Sequence, residues 1–364
     1  KYPLKYANVY IKNTNIGTVS NNDGKFNFPK PLLKITDTLV ISHVGYATFY
    51  YSTFDCSIDT TIVFELIPIA INLPEISIAP FDFCKTLSIL KNTISVGKKT
   101  YPFNTDGFFR QILIENDTIK EIVELSVTNY YDYKKNSYQL KILQGKSLNK
   151  EATISYVNLV NNYIKAHDIS FTLPDFLDKN RCDKFDFALL GFSKYDSLNI
   201  CELKITNKNE KTSKLSFAKI SVDIDKGTPI YMTVFFKPDK KPNTPLLLGD
   251  YNVVSIDSSF YSSGFRIIDN HLVMLYSSMY LKTTFSKKST GQLLHQTLII
   301  SFVNNEFAFE NACSFDNSTT YNQHLPLYKQ VFIDNDNWEG IPFWEIEKEF
   351  LNLPLLNKFN LKTE

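Results

Sequence analysis

The stretch GTVSNNDGKFNFPKPLLKITDTLVISHVGY, residues 17–46, decides how this chain is read. Runs rich in β-branched and aromatic residues, at 17–20, 25–28 and 38–42, alternate with Asn21-Asn22-Asp23-Gly24, Pro29 to Pro31 and Gly45. Short runs punctuated by turn residues predict the strands of an all-β sandwich. Asp23-Gly24 supplies the positive φ of a tight hairpin turn. Gly17, Gly24 and Gly45 permit backbone geometry that a Cβ disfavours. Phe26, Leu39, Ile41 and Tyr46 are expected to fill the sandwich. Outward from this stretch, 7–12, 48–51 and 61–66 carry the same pattern.

Taken in order, Pro3-Leu4, Ala7-Asn8-Val9, Gly17-Thr18, Asp23-Gly24 with Phe26, Leu39 with Ile41-Ser42, and Gly45-Tyr46 resemble the carboxypeptidase regulatory-like domain of Bacteroidota envelope proteins. Val63 with Glu65-Leu66, then Leu73-Pro74-Glu75-Ile76-Ser77-Ile78, resemble that family's exit strand and linker. The resemblance covers residues 1–78 and implies a seven-strand-type β-sandwich. The family's opening strand, which precedes Pro-Leu, is missing here. The chain also begins at Lys1 and not at Met. Both observations lead us to expect an upstream segment, a secretion signal among the candidates.

Residues 79–100 read as a linker and a helix, with Phe83, Leu87, Leu90 and Ile94 on one face of 83–96. Residues 101–364 read as a larger α+β domain with an extended antiparallel sheet and few helices. Tyr101-Pro102, Gly107-Phe108-Phe109-Arg110 and the Glu121–Leu125 segment resemble the continuation of the domain in larger family members. Further strands are predicted at 184–192, 199–207, 214–223, 229–237, 252–256, 272–285, 293–303 and 327–333. Helices are predicted at 157–167 and 344–351. Tyr231-Met232, Val234, Phe236 and Pro238 are similar to those larger members too, which implies a half-barrel sheet like that of periplasmic lipoprotein carriers. The fold class is therefore mainly β.

The bulk composition narrows the partners. Lys and Arg number 39 against 38 Asp and Glu, a net charge of +1. No field attracts nucleic acid or an anionic membrane. Lys237 to Lys241, the densest basic run, reads as a solvated loop. No apolar run approaches the about 20 residues that span a bilayer. The five cysteines show no metal-ligand spacing. Cys182 and Cys201 flank a strand and are placed to bridge, but buried, reduced cysteine is the expected state.

The sequence offers no catalytic motif. His167-Asp168 is the sole His beside a carboxylate, and adjacency does not give the geometry of a catalytic pair. His43, beside Gly45-Tyr46, is expected to be partly buried and hydrogen-bonded. Gly145-Lys146-Ser147 lacks the upstream glycine of a phosphate loop. Asp334 to Asn337 suggests a calcium loop, but Trp338 takes a ligand position and the loop glycine is absent. We therefore expect no catalytic residue, no metal and no cofactor. Trp338, Phe343 and Trp344 form a candidate interface cluster, since aromatic anchors dominate binding energies. Asp37-Thr38-Leu39, Asp59-Thr60-Thr61, Asp117-Thr118-Ile119 and Asp196-Ser197-Leu198 resemble the O-glycosylation acceptor of exported Bacteroidota proteins.

These readings lead to the expectation of a non-enzymatic, extracytoplasmic protein, in the periplasm or at the outer-membrane surface. It would dock on an outer-membrane β-barrel assembly, secretion or uptake complex. A glycan-binding accessory protein is the alternative, and it needs an exposed aromatic platform. A secreted hydrolase is the other, and it needs His167, His271, His295 or His324 to meet a carboxylate or hydroxyl in a cleft.

Overall fold

The computed structural model describes residues 2–21, 23–27, 33–53, 61–69, 101–149, 152–154, 159–178, 182–195, 198–209, 214–240 and 250–316. The predicted helices at 83–96 and 344–351, the strand at 327–333, the 334–337 loop, His324, and Trp338, Phe343 and Trp344 lie outside the described residues.

Among the described residues fourteen strands form two antiparallel sheets. The small sheet holds β1 (Asn8–Ile11), β2 (Gly17–Val19), β3 (Thr38–Ser42) and β4 (Phe49–Ser52), ordered β2-β1-β3-β4. Val9, Ile11, Leu39 and Ile41 make its core, and Phe26, Leu33, Phe64 and Leu66 cover them. Those covering residues come from backbone that is not strand, so the predicted strands at 25–28 and 61–66 are not formed in their described residues. The reason is local. The Asn21 side chain accepts the N–H of Asp23 and of Lys25, both at 2.9 Å, and curls the segment away from pairing. Gly24 (φ +73°) and Gly45 (φ +83°) hold left-handed turns that only glycine adopts freely. Tyr46 stands outside this core and meets His43 edge-on at 5.3 Å.

The large sheet is built from two meanders. The first is β5 (Phe103–Glu115), β6 (Thr118–Asp132) and β7 (Ser137–Asn149). The second runs from β8 (Phe185–Tyr195) through β9 (Leu198–Asn207), β10 (Leu215–Asp223), β11 (Pro229–Phe236), β12 (Tyr251–Ile268) and β13 (His271–Lys287) to β14 (Leu293–Ala308). Pairing of β5 with β14 joins them in the order β7-β6-β5-β14-β13-β12-β11-β10-β9-β8. The connection from β7 to β8 must pass from one edge to the other, and it carries α1 (Leu159–His167). Val160, Tyr163 and Ile164 of α1 pack into the main core with Phe109, Leu125, Ile220, Val234, Phe265 and Ile300. The Tyr163 hydroxyl bonds Ser277 Oγ at 2.9 Å.

Ser277 therefore points to the α1 face, and its neighbour Tyr276 points to the opposite face, because side chains alternate along a strand. The small sheet lies on that opposite face, at one end. Tyr6 stacks on Tyr276, Arg266 sits 3.9 Å from the centroid of Tyr10, and Ile16 bridges to Glu306. At the far side Gly45 N–H donates to Lys194 O at 3.1 Å, while Val44 packs on Tyr195, Ile200 and Ile230.

Two glycines in the large sheet mark close approaches. A Cβ on Gly107 would stand 2.5 Å from Val303 O, and one on Gly264 would fall into the ring of Tyr276. Cys201 is buried and free, so the Cys182–Cys201 bridge is not formed.

Candidate docking face

Away from the small sheet, the face opposite α1 carries one continuous row of side chains. The strand register aligns Phe217 with Phe235, Phe235 with Phe260, and Phe260 with Tyr280. It continues through Ile299, Ile112 and Ile122. The four rings stack in sequence, with centroids 4.4, 5.5 and 5.5 Å apart and planes 24°, 29° and 15° from parallel. All four are half-buried, whereas Ile112 and Ile122 are fully buried. Lys204 Nζ lies 5.3 Å from the Phe217 centroid and occupies the outer ring face. Cross-strand aromatic pairs each stabilise a sheet by about 0.2–1 kcal/mol. Their faces are spent on one another, so the ladder presents ring edges, a flat apolar strip.

Beside the ladder, Ile114, Asn116, Asp117, Lys282, His295 and Thr297 line a recess of about 290 Å³. The β5–β6 turn brings Asn116 and Asp117 there, both at positive φ. Asn116 Oδ1 accepts the His295 N–H at 3.0 Å, and the Asn116 N–H donates to His295 O at 2.8 Å. The Thr284 hydroxyl donates to Asp257 Oδ2 at 2.7 Å, so it accepts from His295 Nδ1 at 3.0 Å. Ser255 donates to the other Asp257 oxygen at 2.6 Å. Nδ1 of His295 thus carries a proton, and in the neutral imidazole the other ring nitrogen is an acceptor.

The remaining described histidines serve packing. Burial between Tyr163 and Tyr261 pushes His167 down to about 3. Asp168 faces elsewhere and accepts from the Tyr133 hydroxyl at 2.8 Å. Burial lowers the pKa of His43, while carbonyls of Val44 and Lys5, 2.9 and 3.2 Å from its ring nitrogens, oppose the shift. His271 Nδ1 lies 2.8 Å from Asp269 O. Among the described residues no group of three or more His, Cys, Asp or Glu could hold a metal ion.

Buried charge sits between the strands nearby. Arg110 pairs with Glu124 at 2.7 Å on the ladder face, both almost fully buried. On the α1 face Glu115 accepts the backbone N–H of Thr153 at 2.9 Å and the Gln296 amide at 3.0 Å. Burial raises Glu121 to about 7; a hydrogen bond from Gln111 opposes this and the charge of Glu115 adds to it.

The motif residues Gly17, Asp23, Gly24, Phe26, Gly45 and Tyr46 all fall in the small sheet and its turns, away from the ladder. The ladder rings were not singled out by the sequence reading. Their signal is an outward aromatic at one position of each of four successive strands, which becomes a row only once the registers are known.

Residues 1–78 match the model of the CarboxypepD_reg-like domain, as the motif order implies. No curated protein matches the chain. Among solved structures, a DUF1329 family protein from Desulfovibrio piger ATCC 29098 is similar at 10% identity and a TM-score of 0.28, covering 65% of this chain and 98% of that one. No helix among the described residues is long and apolar enough to cross a membrane.

Proposed function

We propose that this chain is a non-catalytic docking subunit of the bacterial envelope, acting in the periplasm or at the outer-membrane surface. Its partner is an outer-membrane β-barrel assembly, secretion or uptake complex. The observation that carries this reading is the ladder of Phe217, Phe235, Phe260 and Tyr280, an apolar strip on an ordered sheet face. Such strips mark interaction surfaces. A glycan platform needs free ring faces, and these rings turn theirs to each other. The carboxypeptidase regulatory-like match supports the envelope address by family analogy. The test is co-purification of the native protein in gentle detergent, with and without Phe235→Ser plus Phe260→Ser. Loss of an envelope β-barrel partner in the folded double variant supports the reading. Recovery of no such partner with the native chain removes it.

A further inference from the structure

We propose that the recess beside Tyr280 is a binding site for a neutral, hydroxyl-rich ligand, a saccharide unit. The reasoning is a donor and acceptor inventory. Asp117 offers only acceptors, and Lys282 only donors. Neither is paired among the described residues. Asn116 has spent its oxygen on the His295 N–H, so its amide donors remain. His295 has spent Nδ1 on Thr284, so in the neutral imidazole its second ring nitrogen is an acceptor. Thr297 supplies a hydroxyl that does both.

A wall of mixed donors and acceptors suits neither a phosphate, which needs donors, nor a cation, which needs acceptors. It suits sugar hydroxyls, each of which donates and accepts. Ile114 gives the recess an apolar side. Along β13 Tyr280 precedes Lys282 by two residues and so shares its face. A volume of about 290 Å³ admits about one or two pyranose rings. Asp257 and Thr284 are positioning residues, because they hold the imidazole in one tautomer from behind.

The site is independent of the docking reading, since Phe235 and Phe260 do not line it. The experiment titrates the chain with maltose, cellobiose and N,N′-diacetylchitobiose, with inorganic phosphate and glucosamine as charged comparators. The readouts are the Ile114 methyl resonance and the His295 ring nitrogens. At least one disaccharide is expected to shift both at millimolar concentration, and Asp117→Ala is expected to weaken binding by about tenfold. Thr284→Val is expected to release the Nδ1–H tautomer, visible in the ring-nitrogen shifts, and to weaken the same disaccharide in a folded protein. The proposal is overturned if no disaccharide moves these signals, if phosphate or glucosamine moves them equally, or if Asp117→Ala leaves affinity unchanged.

Discussion

Tyr6 of the small sheet's leading segment stacks on Tyr276 of β13, with ring centroids 4.7 Å apart and planes 10° from parallel. Tyr276 is held from behind by the bare Gly264, whose position leaves no room for a Cβ. One ring pair thus couples the packing of the two sheets. Tyr6→Ala is expected to cost about 1–3 kcal/mol, the stacking together with part of the buried area. Gly264→Ala is expected to cost as much by displacing Tyr276. Denaturant unfolding measures both. Hydrogen exchange should show faster opening of β1 and β2 than of β5 in each variant.

The pair Arg110–Glu124 lies between β5 and β6, with side chains 4% and 6% exposed. Removing one partner strands a buried charge. Arg110→Met alone is expected to destabilise by about 3–5 kcal/mol, and Arg110→Met with Glu124→Leu by clearly less. A double-mutant cycle in urea checks this, and equal costs for the single and double variants would contradict it.

Glu121 gives the chain a pH dependence of defined sign. In the folded protein its carboxyl holds its proton up to about 7, while in the unfolded chain it releases it near 4.5. Between those values the folded state binds more protons. This contribution to stability is therefore complete below about 4.5 and is lost as pH rises to about 7. The unfolding free energy measured across that window should fall with pH by an amount on the order of 2 kcal/mol. Glu121→Gln should flatten the trend.

Gly107 is a close meeting of β5 and β14, where a Cβ would stand 2.5 Å from Val303 O. Around it, Thr105 donates to Asn304 Oδ1 at 2.6 Å, Asn129 donates to Thr105 at 3.0 Å, and Tyr138 donates to Asn129 at 2.7 Å. Gly107→Ala must push Val303 O aside, and the neighbouring backbone cannot yield as a flexible side chain would. A loss of about 2–3 kcal/mol is expected, larger than for Asn129→Ser, which keeps a hydroxyl in place. Thermal unfolding of the two variants ranks them.

Much of this architecture was legible beforehand. Alternation located β9 to β11 to within a residue and β8 to within three, and the stretch 157–167 contains α1. The first sheet's turns followed from Asp23-Gly24 and Gly45. The clearest miss is β12. Ser258-Ser259 and Ser262-Ser263-Gly264 look like loop chemistry and the predicted strand stops at 256, yet β12 runs to Ile268. Inside a wide sheet those small residues are what allow dense packing. Ser263 reaches Ser277 at 3.1 Å, and Gly264 admits Tyr276. The ladder was invisible for another reason. A strand's own sequence tells which residues share a face, but not which residue of the next strand stands beside them.

The pairing of β5 with β14 has a consequence for how the chain is made. Thr105 and Asn304, bonded at the heart of the sheet, are 199 positions apart. Contacts so distant in sequence slow folding, because the intervening loop must be closed first. While the polypeptide emerges, β5 shows a naked edge until residue 293 and beyond arrive, and such edges recruit other chains. The last strand among the described residues, β14, is the stitch that closes the molecule's middle. Any holdase serving this chain must therefore retain it until nearly all of the large sheet has been delivered.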